Sequence, residues 1–191
     1  MSNPSRASLP RRFGFLLLKD FTLISLSSAV EPLRMANRIR RDETYSWNVI
    51  TETGEAMAAS DGLSINADYS ITDPRVLDNL DLLIVCTGRR VENAYTKPVE
   101  RYLKYANQKG VALGAICTGS YVLARAGLLD GYRCSIHWEN LAALTDAYPS
   151  IAVSRTTLFY PITARVTSHH QHTPYWVCLQ KSQSVFLAFL C

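Results

Sequence analysis

The sequence lacks any apolar run of the roughly 18 residues that a membrane-spanning helix needs. The apolar run Phe13–Leu18 is stopped by Lys19 and Asp20, and no small-residue cleavage site follows, which excludes a secretory signal peptide. The five cysteines include no Cys-x-x-Cys pair, so neither a disulfide scaffold nor a zinc site is indicated. These absences predict a cytoplasmic protein with reduced thiols, no metal, no cofactor and no membrane partner.

Acidic residues are missing from the end of the chain. All 16 lie at or before Asp146, whereas a typical domain mixes both signs of charge throughout. Past Phe159 neither a helical nor a strand period holds. We therefore predict that residues 160–191 are an aberrant tail, as a frameshift would produce; a divergent C-terminal strand and loop is the alternative. The cluster His169–His172 lies in this tail and is not interpreted as a metal site.

The rest of the sequence alternates apolar runs with helical patterns, which predicts an α/β domain with a mostly parallel sheet covered by helices on both faces. Residues 1–11 are polar and predicted to be disordered, and residues 12–159 form the domain. The predicted strands are Phe13–Leu18, Trp47–Thr51, Leu80–Val85, Val111–Ile116, Tyr132–Ile136 and Ile151–Phe159. The predicted helices run from Ser27 or Ser28 to Arg41, from Pro98 to Lys109, from Gly119 to Ala126 and from Glu139 to Ala147, and Asp61-Gly62 predicts a hairpin turn.

Cys117 lies where an apolar strand passes directly into a helix, between small residues. This is the sequence form of a nucleophile elbow, which projects its central side chain above the sheet at a helix N-terminus, where a thiolate is favoured. The backbone N–H of Thr118, with a second donor at Gly88 after the neighbouring strand, would face an oxyanion formed there. We predict that this turn is the floor of a pocket.

His137 follows the next predicted strand and can reach the same crevice, and Trp138 would form one wall of it. Cys117 and His137 are thus the candidate catalytic pair. A working pair needs a third group to orient the base, and no carboxylate is forced into that role. A buried cysteine is otherwise a small hydrophobe, which is how we interpret Cys86 and Cys134.

Five segments resemble a known family. Ala115–Gly119, Thr87-Gly88 and Ile136–Trp138 resemble the ThiJ/PfpI branch of the class I glutamine amidotransferase-like proteins. Within that branch, Ser28–Arg38 and Ala126–Gly131 resemble the N-terminal sensor domain of AraC-type transcriptional regulators of the GlxA kind. The resemblance implies a flavodoxin-like three-layer sandwich, a homodimer, and DNA binding through a C-terminal helix-turn-helix half, which we expect to be missing from this chain.

The resemblance also implies where enzymatic relatives hold an acid: in the loop or first helical turn after the first strand. Here Phe21–Leu26 contains none, which argues against hydrolase activity. Glu31 lies further along the helix, where it is expected to support packing or to hydrogen-bond a ligand. Regulators with a very similar segment respond to glycine betaine, choline or carnitine, and Trp138, with Trp47, could offer the aromatic faces that a quaternary amine prefers.

The leading hypothesis is the ligand-sensing domain of a regulator of quaternary-amine or amino-acid catabolism that lacks its AraC-type DNA-binding half. Its small-molecule effector is expected to contact Cys117, Thr118, Gly88, His137, Trp138 and Glu31. The alternative is a stand-alone cysteine hydrolase, amidase or glyoxalase that uses Cys117 and His137. A third hypothesis is a redox-sensing or structural domain in which Cys117 oxidises.

Overall fold

Strands and helices alternate along the part of the chain that the computed structural model describes, namely residues 11–134, 136 and 140–153. In chain order the elements are β1 (Arg12–Leu17), α1 (Leu23–Arg40), β2 (Ser46–Thr51), β3 (Met57–Ala58), β4 (Ser64–Ile65), β5 (Tyr69–Ser70), α2 (Arg75–Asp78), β6 (Leu82–Cys86), a 3₁₀ helix (Val91–Ala94), α3 (Lys97–Gln108), β7 (Ala112–Ile116), α4 (Gly119–Arg125), β8 (Arg133–Cys134), α5 (Leu141–Ala147) and β9 (Ala152–Val153). His137, Trp138 and the predicted tail from residue 160 lie outside the described residues.

The main sheet has five strands in the order β5-β2-β1-β6-β7, and every neighbouring pair is parallel. Its register places Leu17 beside Cys86 and Cys86 beside Ile116, so β1, β6 and β7 end together. Two small sheets flank it: the antiparallel hairpin β3–β4 and the parallel pair β8–β9. The predicted parallel α/β architecture is confirmed.

Side chains of β1 alternate between two apolar layers, as the two-residue period of a strand requires. Phe15 and Leu17 pack in one layer with Leu33 of α1. Leu16 packs in the opposite layer with residues of α3 and α4, including Leu103 and Leu123. The sheet is therefore covered on both faces, which makes the domain a three-layer sandwich. None of its helices, within the described ranges, combines the length and apolar character needed to cross a membrane.

The first helix begins earlier than predicted. The predicted capping residue Ser28 lies inside α1, where its hydroxyl donates to the carbonyl oxygen of Ile24 at 2.7 Å. A serine that bonds back to residue i−4 is satisfied within the helix and does not mark its start. Thr22 takes the N-cap position, but its side chain makes no capping hydrogen bond.

The remaining predicted elements of the main sheet agree with the structure to within two residues at most ends. The hairpin at Asp61-Gly62 is also confirmed, since Met57 pairs with Ile65 on either side of the turn. Three short elements were not predicted: β5, α2 and the 3₁₀ helix. Each is two to four residues long, which is too short for a periodic pattern to develop.

Candidate functional site

The carboxyl ends of β1, β6 and β7 meet at one edge of the main sheet, here called the carboxyl edge. Because the three strands end in register, the segments that follow them also lie together. Crevices outside the carboxyl ends of parallel strands are the usual ligand sites of open α/β sheets. This edge brings together Cys117, Thr118 and Gly88, as the sequence predicted, and adds residues that the sequence did not single out.

Cys117 links β7 to α4 in a left-handed backbone conformation, with φ of 58°. A non-glycine residue in this region costs about 1–3 kcal/mol, and such strain concentrates at functional sites. Gly119 explains the close approach of α4, because a Cβ atom there would collide with the carbonyl oxygen of Val85. The predicted elbow is confirmed, with Cys117 only 7% exposed.

The hydroxyl of Thr22 lies beside the Cys117 thiol, with 3.7 Å between Oγ1 and Sγ. Thr22 follows β1 and precedes the first turn of α1, which is the region where the sequence analysis looked for an acid. A threonine therefore occupies the place from which a carboxylate would reach Cys117. On this side, the sulfur of Cys117 therefore faces the neutral hydroxyl of Thr22.

Two buried hydroxyls join the ends of β6 and β7. Thr118 donates to the carbonyl oxygen of Gly88 at 2.7 Å, and the oxygens of Thr87 and Thr118 are also 2.7 Å apart. A hydroxyl has one hydrogen, so Thr87 must be the donor to Thr118. This directed pair fixes the Gly88 turn against the elbow.

Gly88 lies so close to the loop after β1 that a side chain would not fit. A Cβ atom would collide with the carbonyl oxygen of Asp20 and would lie 2.5 Å from Oγ1 of Thr22. The absence of a side chain therefore lets the three loops of the carboxyl edge come together. Gly88 is confirmed as a neighbour of Thr118; its role as an oxyanion donor stays a prediction.

An ion pair crosses the rim of this edge. The guanidinium of Arg90 donates to Asp20 at 3.1 Å, and both residues have left-handed backbones, with φ of 52° and 57°. Sequence reasoning missed both, because their juxtaposition depends on the register of β1 and β6. Their one common signal is position, since each lies two to four residues beyond a buried strand.

The β3–β4 hairpin closes one side of the site. Phe21 bridges to Ala59 on one side and to Gly88 on the other, and its carbonyl oxygen accepts the N–H of Ser60 at 2.8 Å. Phe21 itself is fully buried. The hairpin is thus attached to the loop from which Thr22 approaches Cys117.

The other predicted residues are placed differently. Glu31 lies on the half-exposed side of α1 and pairs with Arg34 at 2.6 Å, and this bond lowers the pKa of the Glu31 carboxyl. Trp47 pairs with Phe13 at the beginning of its strand, which is the end of the sheet opposite Cys117. The expectation that Trp47 lines the pocket is therefore wrong, because strand register separates the two.

Cys86 and Cys134 are buried, as predicted from their places in strands. Burial, followed by the electrostatic influence of neighbouring Cys117, raises the pKa of the Cys86 thiol, which keeps the Cys86 thiol protonated. Among the described residues no three His, Cys, Asp or Glu side chains cluster as metal ligands would. Among the described residues, the site thus presents the Cys117 thiol, several hydroxyls and one ion pair at the rim.

Comparison with known proteins agrees with this geometry. A model of the DJ-1/PfpI family matches residues 12–179. The HTH-type transcriptional regulator GbdR of Pseudomonas aeruginosa is 47% identical over 86% of this chain and 44% of its own length. The HTH-type transcriptional regulator GlxA of Rhizobium meliloti is 36% identical over 74% of this chain and 43% of its own. The chain spans a little under half the length of these curated relatives.

A solved structure shows the same relationship. The crystal structure of an AraC family transcriptional regulator from Pseudomonas putida superposes with a TM-score of 0.69 and 33% sequence identity, and the match covers 79% of each chain. The resemblance expected from the elbow and from the α1 segment is confirmed at the level of both fold and sequence.

Proposed function

Because the chain belongs to the DJ-1/PfpI family and its relatives GbdR and GlxA are transcriptional regulators, we propose that it is the ligand-sensing domain of a transcriptional regulator. The carboxyl edge of the main sheet is its effector pocket. Cys117, Thr118 and Gly88 form the floor, and we extend the pocket to His137, Trp138 and Glu31 on the sequence pattern alone. A regulator of this kind works in the cytoplasm.

One observation carries the proposal: a threonine hydroxyl, 3.7 Å away, is the neighbour of the Cys117 sulfur on the β1 side. General base catalysis needs a group that exchanges its proton near neutral pH. An aliphatic hydroxyl does not do so, but it donates and accepts hydrogen bonds. On the β1 side, Cys117 therefore meets a group that can hydrogen-bond a ligand and not a general base, which supports the sensing proposal.

We propose quaternary amines and amino acids as the effector class. The support is the similarity of Ser28–Arg38 to regulators of such compounds and the aromatic side chain of Trp138, which suits a quaternary ammonium group. The test is a thermal-shift series with glycine betaine, choline, carnitine and the common amino acids.

At least one of these compounds should raise the melting temperature of the wild type and of Cys117→Ala. A matched variant, Thr118→Val, should weaken the shift, since it releases the Gly88 turn from the elbow. A panel in which no compound shifts the wild type would overturn the assignment of effector class.

A second candidate is a cysteine hydrolase, amidase or glyoxalase that uses Cys117 and His137. The strained backbone of Cys117 favours it, because strain at an elbow is typical of nucleophiles. Turnover of methylglyoxal, amide and ester substrates should be absent in the wild type if our proposal holds. Turnover that disappears in Cys117→Ala would establish the enzyme instead.

We assign DNA contact to a segment outside the described domain, since residues 11–134, 136 and 140–153 contain no helix-turn-helix arrangement. Because the sequence after Phe159 carries no basic helical pattern, we propose that the chain shows no salt-sensitive, sequence-specific binding in a mobility-shift assay. Binding of that kind would contradict the assignment.

We further propose a homodimer. The support is the resemblance of Ser28–Arg38 to dimeric regulators. Ile24 and Ile39 of α1, which are 72% and 64% exposed, are the candidate apolar contacts. Light scattering should give twice the chain mass, and a monomer mass at micromolar concentration would overturn this part of the proposal.

A further inference from the structure

We propose that Arg125 is a positioning residue that holds α4 against the 3₁₀ helix Val91–Ala94. Through this contact, opening of the pocket is coupled to a change at the outer surface of the domain. The inference rests on the proposed sensing function. The observation behind it is that α4 and the 3₁₀ helix are joined by contacts near the pocket and again at the other end of α4.

At the pocket, the two elements begin side by side. α4 starts directly after the Cys117 elbow, and Thr118 donates to Gly88, two residues before Arg90. Arg90 precedes the 3₁₀ helix and pairs with Asp20 at 3.1 Å. The near ends of α4 and of the 3₁₀ helix are thus both attached to the carboxyl edge.

At the end of α4 away from the pocket, Arg125 contacts Tyr95 and Glu92. We call these three residues the Arg125 clamp. The guanidinium lies 4.4 Å from the centre of the Tyr95 ring and donates to the carbonyl oxygen of Glu92 at 3.4 Å. The Tyr95 hydroxyl donates to the carbonyl oxygen of Arg125 at 3.3 Å. Three contacts thus join the last residue of α4 to Glu92 within the 3₁₀ helix and to Tyr95 directly after it.

The clamp belongs to a larger aromatic surface. Tyr121 lies one turn before Arg125 on α4, and its ring meets Tyr148 edge-on at a centroid distance of 6.0 Å. Tyr95, Tyr121 and Tyr148 are all half-buried against the core. Tyrosine and arginine are the residue types that dominate binding surfaces, so a change in the clamp alters a surface suited to a partner.

These contacts form a closed ring. The elbow leads into α4, and the Arg125 clamp joins α4 to the 3₁₀ helix. Arg90 before that helix pairs with Asp20, whose loop returns to Cys117 through Thr22. A single 3₁₀ turn has poor internal hydrogen bonds, so its position depends on the contacts at its two ends. α4 is about 10 Å long at 1.5 Å per residue, short enough to move as a rigid rod. A ligand that separates Arg90 from Asp20 therefore loosens the clamp, and a loosened clamp frees the elbow, since coupling is reciprocal.

A matched control lies on α3. Lys109 also places a cation over a tyrosine, 5.5 Å from the centre of the Tyr105 ring, and pairs with Asp78 at 2.9 Å. This second contact also places a cation over a tyrosine ring, although Tyr105 is more exposed than Tyr95, and α3 does not start from the elbow. Its loss should leave Cys117 unaffected.

The test measures how fast iodoacetamide alkylates Cys117, followed by mass spectrometry of the peptide that contains it. Because Cys117 is almost fully buried, its alkylation reports local opening of the elbow. Arg125→Ala should accelerate the alkylation by about fivefold, the lower end of typical coupling between sites. Arg125→Lys, which keeps the charge but not the planar stacking, should fall between Arg125→Ala and the wild type.

Lys109→Ala should alkylate at the wild-type rate. Equal rates for Arg125→Ala and Lys109→Ala would overturn the coupling. If Arg125→Ala loses its cooperative melting transition, Tyr95→Phe takes its place, because it removes one hydroxyl and keeps the ring. The experiment uses neither effector nor DNA, so its failure leaves the sensing function standing, and a failed effector screen leaves the coupling testable.

Discussion

The carboxyl edge of the main sheet and the opposite edge, where the parallel strands begin and which we call the amino edge, differ in how their polar groups are hydrogen-bonded. At the amino edge, the carboxylate of Asp81 accepts the backbone N–H groups of Arg11 and Arg12 at 2.9 and 3.0 Å and the Arg12 guanidinium at 2.6 Å. At the amino edge, the charge of Asp81 is thus compensated by that of Arg12. At the carboxyl edge, the neighbours of Cys117 and Thr118 include the neutral hydroxyls of Thr22 and Thr87.

Backbone strain follows the same division. Of the four described non-glycine residues with positive φ, Asp20, Arg90 and Cys117 lie at the carboxyl edge, and the fourth, Arg41, ends α1. Each such residue costs about 1–3 kcal/mol, which the rest of the fold must offset. The comparison shows that the amino edge is stabilised by charged hydrogen bonds. The strained residues lie at the carboxyl edge, where the pocket is proposed.

The largest effect should come from filling the close approach at the carboxyl edge. Gly88→Ala places a Cβ against the backbone of Asp20 and Thr22, which cannot rotate away, and we expect a loss of about 3 kcal/mol in the free energy of unfolding. Urea denaturation measures it.

The control for Gly88 lies inside β1. Gly14→Ala meets the ends of flexible side chains, with Leu80 Cδ1 at 2.6 Å and Ile50 Cδ1 at 2.9 Å. These side chains can move, so about 1 kcal/mol is expected. If the two substitutions cost the same, the carboxyl edge is not the tighter region.

A smaller effect is expected from the hydroxyl pair. Thr118→Val leaves the Gly88 carbonyl without its donor and the Thr87 hydroxyl without its acceptor, and should lower the free energy of unfolding by about 2 kcal/mol. Thr145→Val, which removes a half-buried hydroxyl bonded within α5, should cost less than about 0.5 kcal/mol. Equal melting temperatures for the two variants would contradict the role given to Thr118.

The amino edge should respond to pH. Burial opposes ionisation of Asp81, but bonds from the Arg12 side chain and from the two backbone N–H groups outweigh it and lower its pKa below the usual 3.8. A lowered folded pKa means stability that is present above the unfolded pKa and lost as pH falls through the folded one.

Asp81→Asn should therefore reduce the free energy of unfolding by about 1 kcal/mol at pH 7, the side chain being partly exposed, and the difference should shrink below about pH 4. Denaturant titrations at both pH values measure this. Asp78→Asn, which removes an exposed pair with Lys109, should change little at either pH. A difference between Asp81→Asn and the wild type that is constant with pH would contradict the account.

The smallest effect is expected at Glu100, in the first turn of α3. Bonds from Lys104, then Lys97, lower the pKa of its carboxyl to about 2. The small stabilisation is present above the ordinary 4.5 and lost as pH falls toward 2. The melting temperatures of Glu100→Gln and the wild type should converge over that interval; parallel curves would show that exposed pairs do not contribute.

The sequence was sufficient for the parts of the molecule that depend on local pattern. The buried strands β1, β6 and β7 are continuous apolar runs, and the Cys117 turn has small neighbours that only a tight strand-to-helix connection explains. Their positions could therefore be predicted, together with the parallel architecture.

What depended on register could not be predicted. The Asp20–Arg90 pair, the direction of the Thr87–Thr118 bond and the separation of Trp47 from the pocket all follow from which residues of β1, β2 and β6 lie side by side. The pattern of apolar residues gives each strand but not its alignment. The start of α1 was missed because serine hydroxyls bond within helices as readily as they cap them.

The tip of the β3–β4 hairpin has a practical consequence. Asp61 and Gly62 are exposed, and a side chain at Gly62 would meet no other atom within 4 Å. Two residues away, Ser60 is hydrogen-bonded to Phe21 beside the proposed pocket. A fluorescent dye attached through Ser60→Cys, at an exposed position, would leave the backbone bonds of the turn in place, and its emission should follow movements of the loop that carries Thr22. The fold thus offers a ready attachment point for a biosensor.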